Sequence, residues 1–296
     1  MTQNIVVAYD GSEHSERALD WGIADCLERQ LPLKIVLSTG RQTGLDQSLY
    51  GAFADALQEE SERLAKRAVE KAKTAGVTAQ CIIERGDAAG VIVYESKDAA
   101  VVVMGKRGHH GVRGRVGSVS AAVAAHSSVP VVILPESWKP DERETRPEGE
   151  TFAGCVVVGV DKLGTENPAV TVAARYAADH GLTLAVVSVV PTTGYLPVNS
   201  YELEMAVQEQ LKAPAQQLTD SVAEELRGEF PGLEIVTRVL EGRPADALVD
   251  ASRTADLLVV GTRGYGGFRG LLMGSVSQAV LADTESPVMV VPTAKN

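Results

Sequence analysis

The sequence predicts an α/β protein built from two tandem open parallel five-stranded sheets with helices on both faces. Three observations predict it. Short apolar, β-branched runs alternate with helix-periodic segments. The order of those segments repeats after about 155 residues, which is a domain duplication rather than a solenoid unit. In each half one apolar run ends at a glycine, enters a glycine-rich loop and stops at Gly-Ser before a helix. A length of 296 residues agrees with two domains of about 150 each. The expected bounds are 1–137 and 153–296, joined by a linker over 138–152.

In the first half, residues 4–9 are a β-branched run bounded by Asp10-Gly11-Ser12, as in a buried parallel strand. Ser12 is placed to cap a helix from Glu13 to about Arg29, with Ala18, Leu19, Ile23 and Leu27 at helical spacing. Leu33–Leu37 is the second strand. A long helix follows over about 53–75, with the wet-face pairs Glu59/Arg63 and Glu62/Lys66. Ala79–Glu84 is strand three, Gly86-Asp87 opens a short helix to about Ser96, and Ala100–Met104 is strand four. A glycine loop leads to a helix over Ser118–His126, and Pro130 precedes strand five, Val131–Leu134.

Residues 136–152 carry Pro140, Pro147 and alternating charges without apolar periodicity, and read as a solvated linker. The second half then repeats the order. Its strands are expected over 155–160, 184–189, 233–240, 255–260 and 288–291. Asn167-Pro168 supplies a cap and a first-turn proline. Pro214 is expected to kink the helix over about 200–228 or to start a new one.

Composition narrows function. A net charge of −11 disfavours nucleic acid and anionic membrane as main partners. Aromatics at 4% are too few for a base-stacking platform. Cys26, Cys81 and Cys155 are isolated thiols without disulfide or zinc spacing. No basic, apolar leader precedes the first strand and no apolar run approaches ~18 residues, so a cytoplasmic location is expected.

The chemistry concentrates in the two loops. Leu257–Gly261 passes into Gly261-x-x-Gly264-x9-Gly274-Ser275. Glycines let successive backbone N–H groups converge, and the helix opening at Ser275 adds unsatisfied N–H groups with a partial positive charge. Such a crossing can hold a polyphosphate, with Arg263 and Arg269 as counter-charge. The alternative is a glycine-rich linker without a ligand. The first-half copy, Gly105-Lys106-Arg107-Gly108 to Gly117-Ser118, is one residue shorter before its Gly-Ser. Asp10 and Asp161 end the first strand of each half. Either can accept from an adenine amino group or a ribose hydroxyl, or can form an Asx turn or a helix cap. No P-loop lysine, dinucleotide fingerprint or G-x-S-x-G elbow is present. His109-His110 lacks a neighbouring carboxylate or cysteine and is read as solvated; His14, His126 and His180 are read as surface or helix residues. No carboxylate pair stands out as an acid/base couple, so the sequence supports binding better than turnover.

These motifs resemble the universal stress protein family in its tandem two-domain form. The resemblance rests on Asp10-Gly11-Ser12, on Glu241–Ala245, and on Val259–Gly264 through Gly274–Ser277. It spans almost the whole chain, and the second loop matches the signature of the ATP-binding branch in full. The resemblance implies an adenine nucleotide alpha-hydrolase-like, Rossmann-like fold that binds ATP, with magnesium as its counter-ion, and no shared catalytic activity. In the second half it implies adenine near Gly159, Asp161 and Val189. It implies triphosphate on Gly261, Thr262, Arg263, Gly264, Tyr265, Gly266 and Gly267, and on Gly274, Ser275 and Val276. In the first half the corresponding set is Ala8, Asp10, Thr39, Gly105, Lys106, Arg107, Gly108, Gly117 and Ser118. It further implies a role in stress survival or growth arrest, and pairing as a homodimer or a pseudo-dimer of domains through the last strands. The shortened first loop, and Lys162-Leu163 in place of Gly-Ser after Asp161, lead to the expectation that the second half binds ATP more tightly. The competing readings are a slow ATPase or AMP-forming ligase, and a ligand-free interaction module.

Overall fold

The computed structural model describes residues 3–40, 47–108, 116–139, 151–161, 167–192, 201–262 and 273–293. The chain divides into two units, Met1–Pro140 and Asp141–Asn296.

Unit 1 runs β1 (Ile5–Ala8), α1 (Glu13–Arg29), β2 (Leu33–Thr39), α2 (Gln47–Thr74), β3 (Ala79–Arg85), α3 (Ala88–Glu95), β4 (Val101–Gly105), α4 (Ser118–His126) and β5 (Val131–Leu134). Its strands lie in the order β3-β2-β1-β4-β5, every neighbouring pair parallel. The order reverses between β1 and β4, where Ile5, Val6 and Val7 pair with Val101, Val102 and Val103. Every residue of β1, β4 and β5 is buried. That is why these strands read as continuous apolar runs instead of alternating ones.

Unit 2 repeats the plan with β6 (Cys155–Gly159), α5 (Pro168–Asp179), β7 (Thr183–Val190), α6 (Tyr201–Glu229), β8 (Ile235–Glu241), α7 (Pro244–Ser252), β9 (Leu257–Gly261), α8 (Ser275–Asp283) and β10 (Val288–Val291). Its order is β8-β7-β6-β9-β10, again parallel throughout. The predicted fold is therefore present, duplicated as the repeat required. Of the two outcomes expected at Pro214, a new helix does not begin there; α6 is a single element that contains it. Proline removes one helical N–H, but Ala215, Val222, Ala223 and Leu226 are buried on this helix, and that packing outweighs the lost bond. Trp138 and Phe152, at the two ends of the expected linker, are both buried.

The turn leaving β1 is made by its own residues. Gly11 adopts φ +79°, and a Cβ there would lie 2.7 Å from Leu64 Cδ2 of α2. The Ser12 N–H donates to Asp10 Oδ1 at 3.0 Å, an Asx turn. Ser12 Oγ accepts the Ser15 N–H at 3.2 Å and caps α1, as its position predicts.

A polar network fastens α1 and α2 to the end of β1. The Tyr9 hydroxyl and Arg67 both donate to Glu16 Oε1, Arg67 also donates to Tyr9 Oη at 2.8 Å, and Lys71 reaches Glu16 Oε2 at 3.2 Å. Burial and the Glu16 hydrogen bond push the Tyr9 hydroxyl up to about 12. Burial works to raise Glu16, but Tyr9, Lys71 and Arg67 outweigh it and hold the carboxyl below its usual 4.5. A depressed carboxyl stabilises the fold fully above its unfolded value and loses that contribution as pH falls through the folded value. A Glu16→Gln chain is therefore expected to be about 1 kcal/mol less stable at pH 7, a figure kept small by partial exposure. The gap should begin to narrow as pH falls below 4.5 and close once pH has passed through the lower folded value. Urea unfolding across that range measures it, and a gap independent of pH would refute the assignment.

Candidate functional site

In an open parallel sheet, ligands settle beyond the strand C-termini where strand order reverses. Unit 1 has a cavity of about 420 Å³ at that place, lined by the ends of β1, β2 and β4 and the starts of α3 and α4.

One end is apolar. Ala8 of β1, Val36 of β2 and Met104 of β4 form its floor, with Ala88 and Ile92, one helical turn apart, from α3. Val36 and Ser38 share a strand face because strand residues alternate. The Ser38 hydroxyl donates to the Gly86 carbonyl at 3.1 Å and ties the end of β2 to the turn after β3. Asp87 opens α3 by accepting the Gly90 N–H at 2.9 Å.

The other end is polar and set up for an anion. It is lined by Gly105, Arg107 and Gly108 after β4, and by Gly117, Ser118, Val119 and Ser120 at the start of α4. Gly117 is the N-cap and has no side chain to satisfy the helix start. The first α4 backbone bond runs from Ala121 N–H to Gly117 O, so the N–H groups of Ser118, Val119 and Ser120 have no partner within the helix. They add the positive end of the helix dipole, roughly half a charge. Arg107 is 8% exposed, and its Nε has no hydrogen-bond partner among the described residues. A buried donor of that kind costs stability unless something else satisfies it.

Close approach makes this geometry. A Cβ on Gly105 would lie 2.6 Å from His14 Cβ and 2.8 Å from the His14 carbonyl, so α1 rests directly on the end of β4. A Cβ on Gly108 would lie 2.5 Å from Asp10 Oδ2. The loop after β4 is also clamped at both ends. The Gly117 N–H donates to the Lys106 carbonyl at 2.9 Å, and Ser120 Oγ donates to the Gly105 carbonyl at 2.9 Å.

Unit 2 has the same clamp. The Gly274 N–H donates to the Thr262 carbonyl at 2.7 Å, and Ser277 Oγ donates to the Gly261 carbonyl at 2.6 Å. The residue missing from the first loop therefore falls between two equivalent anchor points, and both helix starts are held the same way. Gly274 is an uncapped N-cap, with Ser275 and Val276 opening α8. Thr262 is buried and its hydroxyl meets the Thr293 hydroxyl at 2.9 Å. Gly159 ends β6 against Leu248, Asp161 follows it on the surface, and Val189 is half-buried on β7. Arg263, Gly264, Tyr265, Gly266 and Gly267 lie outside the described residues.

Of the first-half expectations, Ala8, Asp10, Gly105, Arg107, Gly108, Gly117 and Ser118 all line the cavity. Thr39 and Lys106 do not. Ser38, on the opposite strand face from Thr39, takes its place. Lys106 is buried beside the clamp.

Two residues to which the sequence assigns no part in the site, His14 on α1 and Glu136 at the edge of the expected linker, complete the charge pattern. Glu136, two residues after β5, accepts from Arg107 Nη2, and His14 Nε2 stands 3.3 Å from the same oxygen. His14 Nδ1 faces Arg17 Nη1 at 3.4 Å. Burial lowers the His14 pKa below 6.5, and the charges of Arg17 and Arg107 add to that against Glu136. A neutral imidazole that donates from Nε2 to Glu136 and accepts at Nδ1 from Arg17 satisfies both neighbours. Nothing in the spacing of His14 and Glu136 marks them as a pair; only the parallel order, which sets β5 beside β4, brings them together.

Among the described residues, no helix is long and apolar enough to cross a membrane. The family model described as "Universal stress protein family" matches residues 1–135 and 155–292. Universal stress protein Rv1996 of Mycobacterium tuberculosis (strain ATCC 25618 / H37Rv) is 28% identical, covering 97% of this chain and 94% of its own length. A universal stress protein of Mycolicibacterium smegmatis is 29% identical over 97% and 96%. Among solved structures, a universal stress protein from Archaeoglobus fulgidus superposes with a TM-score of 0.67 at 21% identity, covering 98% of this chain and 96% of that one. That likeness speaks for the fold.

Proposed function

The chain belongs to the universal stress protein family, and on that premise we propose that it is an ATP-binding regulator that acts by occupancy rather than turnover. The observation that carries this reading is the unit 1 cavity. It joins an apolar end, suited to a purine, to an uncapped helix start and a buried arginine, suited to phosphate. Its volume of about 420 Å³ lies in the range of small-molecule and cofactor sites. The equivalent clamp in unit 2 supports a second nucleotide position there. The work of the site would be binding: the α4 amides and Arg107 hold phosphate, and Asp10, kept in place by its Asx turn, offers a carboxylate to a sugar hydroxyl or a base amine. Loading with nucleotide would then report the energy state of the cytoplasm during stress or growth arrest.

The test is direct. Full-length protein, purified and denatured, is expected to release adenine nucleotide on chromatography, and the emptied protein to bind added ATP saturably in a calorimeter. Absence of both would sink the reading. Release of many equivalents of ADP or AMP per site on long incubation with ATP and magnesium would turn it toward an enzyme.

A further inference from the structure

Arg107 is the only cationic side chain among the described residues that line the unit 1 cavity, and the protein supplies it with an anion of its own. The Arg107 side chain is 7% exposed and the Glu136 side chain 40%, so the pair stands at the boundary between cavity and solvent. Glu136 is held from a second side, because His14 Nε2 on α1 stands 3.3 Å from the same oxygen. Asp10 places a carboxylate in the cavity lining itself, whereas Glu136 acts on the cavity through Arg107. A ligand phosphate that reaches Arg107 thus meets a guanidinium already shared, with a fixed negative charge behind it.

We propose that Glu136 is a specificity-determining residue of unit 1, which holds Arg107 and biases the cavity against nucleotides with long, highly charged phosphate chains. This rests on the nucleotide reading above. Coulomb repulsion grows in proportion to ligand charge, and at neutral pH ATP carries about four negative charges against about two for AMP. The free-energy penalty from Glu136 is therefore about twice as large for ATP. The single buried donor left over, Arg107 Nε, is what one phosphate group would satisfy. The uncapped start of α4 offers the remaining oxygens its amide N–H groups and a partial positive charge.

The experiment is photolabelling of the full chain with 8-azido-ATP, with peptide mapping to separate label in Met1–Pro140 from label in Asp141–Asn296. Competition by unlabelled ATP and AMP then gives the affinity of each at unit 1. In Glu136→Gln, ATP is expected to bind about fivefold more tightly and AMP about twofold, so the preference moves toward ATP. Glu136→Asp keeps the charge and is expected to keep the wild-type ratio. Tryptophan fluorescence melting checks the fold of each variant, since Trp21 and Trp138 both lie in unit 1. Equal shifts for the two nucleotides, no shift in Glu136→Gln, or the same shift in Glu136→Asp would overturn the proposal and leave nucleotide binding standing. Wild-type unit 1 label that neither nucleotide displaces would overturn both.

Discussion

A Gly105→Val chain is expected to lose about 3 kcal/mol of stability in unit 1. The reason is what the new atoms would strike. A Cβ at residue 105 lies 2.6 Å from His14 Cβ and 2.8 Å from both the carbonyl carbon and oxygen of His14. These are not the far end of a flexible side chain that could rotate away. They belong to the first turn of α1, which Ser12 caps and the Glu16–Tyr9–Arg67 network holds to β1 and α2. Either α1 lifts off the sheet or β4 shifts out of register with β1 and β5. Both movements open a core whose strands are buried on two faces. Urea unfolding followed by tryptophan fluorescence reads unit 1 alone, because both tryptophans lie in Met1–Pro140. Gly40→Val is the control: among the described residues nothing lies within 4 Å of a Cβ there, so its effect should stay within about 0.5 kcal/mol. Wild-type stability in Gly105→Val would mean that α1 does not rest on the strand end as described.

The contrast between those two glycines shows what a sequence conveys and what it withholds. The duplicated order of apolar runs and periodic segments was legible because buried parallel strands and amphipathic helices impose it residue by residue. The caps at Ser12 and Asn167, and the helix starts at Ser118 and Ser275, were legible because they depend on neighbours in the chain. Gly105 and Gly117 stood out as parts of a loop motif, but why each must be small depends on residues that the fold brings to them. Ser120 and Ser277 each close a clamp onto the glycine that ends a strand, a contact that their position in the first helical turn does not reveal. The resemblance implies Thr39, whereas Ser38, on the other strand face, lines the cavity; a motif gives position along a strand more readily than it gives the face. Glu136 sat in what read as the edge of a linker. Its meeting with Arg107 comes from β5 lying beside β4, a fact of topology rather than of spacing. At Pro214 the local rule allowed either a kink or a new helix, and burial along α6 shows why the helix continues as one element.

Gly108→Glu is expected to weaken ATP binding at unit 1 by about a hundredfold or more, as like charges brought together in a binding site cost several kcal/mol. Gly108 lines the polar end of the cavity, and a Cβ there would lie 2.5 Å from Asp10 Oδ2 and 3.7 Å from Asp10 Cγ. Asp10 has little freedom to retreat, because its other oxygen accepts the Ser12 N–H in the turn that starts α1. The added carboxylate would stand beside Asp10 and one residue from Arg107. It would repel phosphate, and if it turned to Arg107 it would take the guanidinium from the ligand. Each route removes binding, so the outcome does not depend on which rotamer the new side chain adopts. Gly108→Ala separates size from charge: it makes the same first contact with Asp10 but adds no anion, and about a tenfold loss is expected from displacement of that carboxylate. Calorimetry and unit-resolved photolabelling measure both variants, and tryptophan fluorescence melting shows whether unit 1 remains folded. If Gly108→Glu labels in unit 1 with undiminished ATP affinity, the phosphate does not lie between Asp10, Arg107 and the start of α4, and the cavity serves some other ligand.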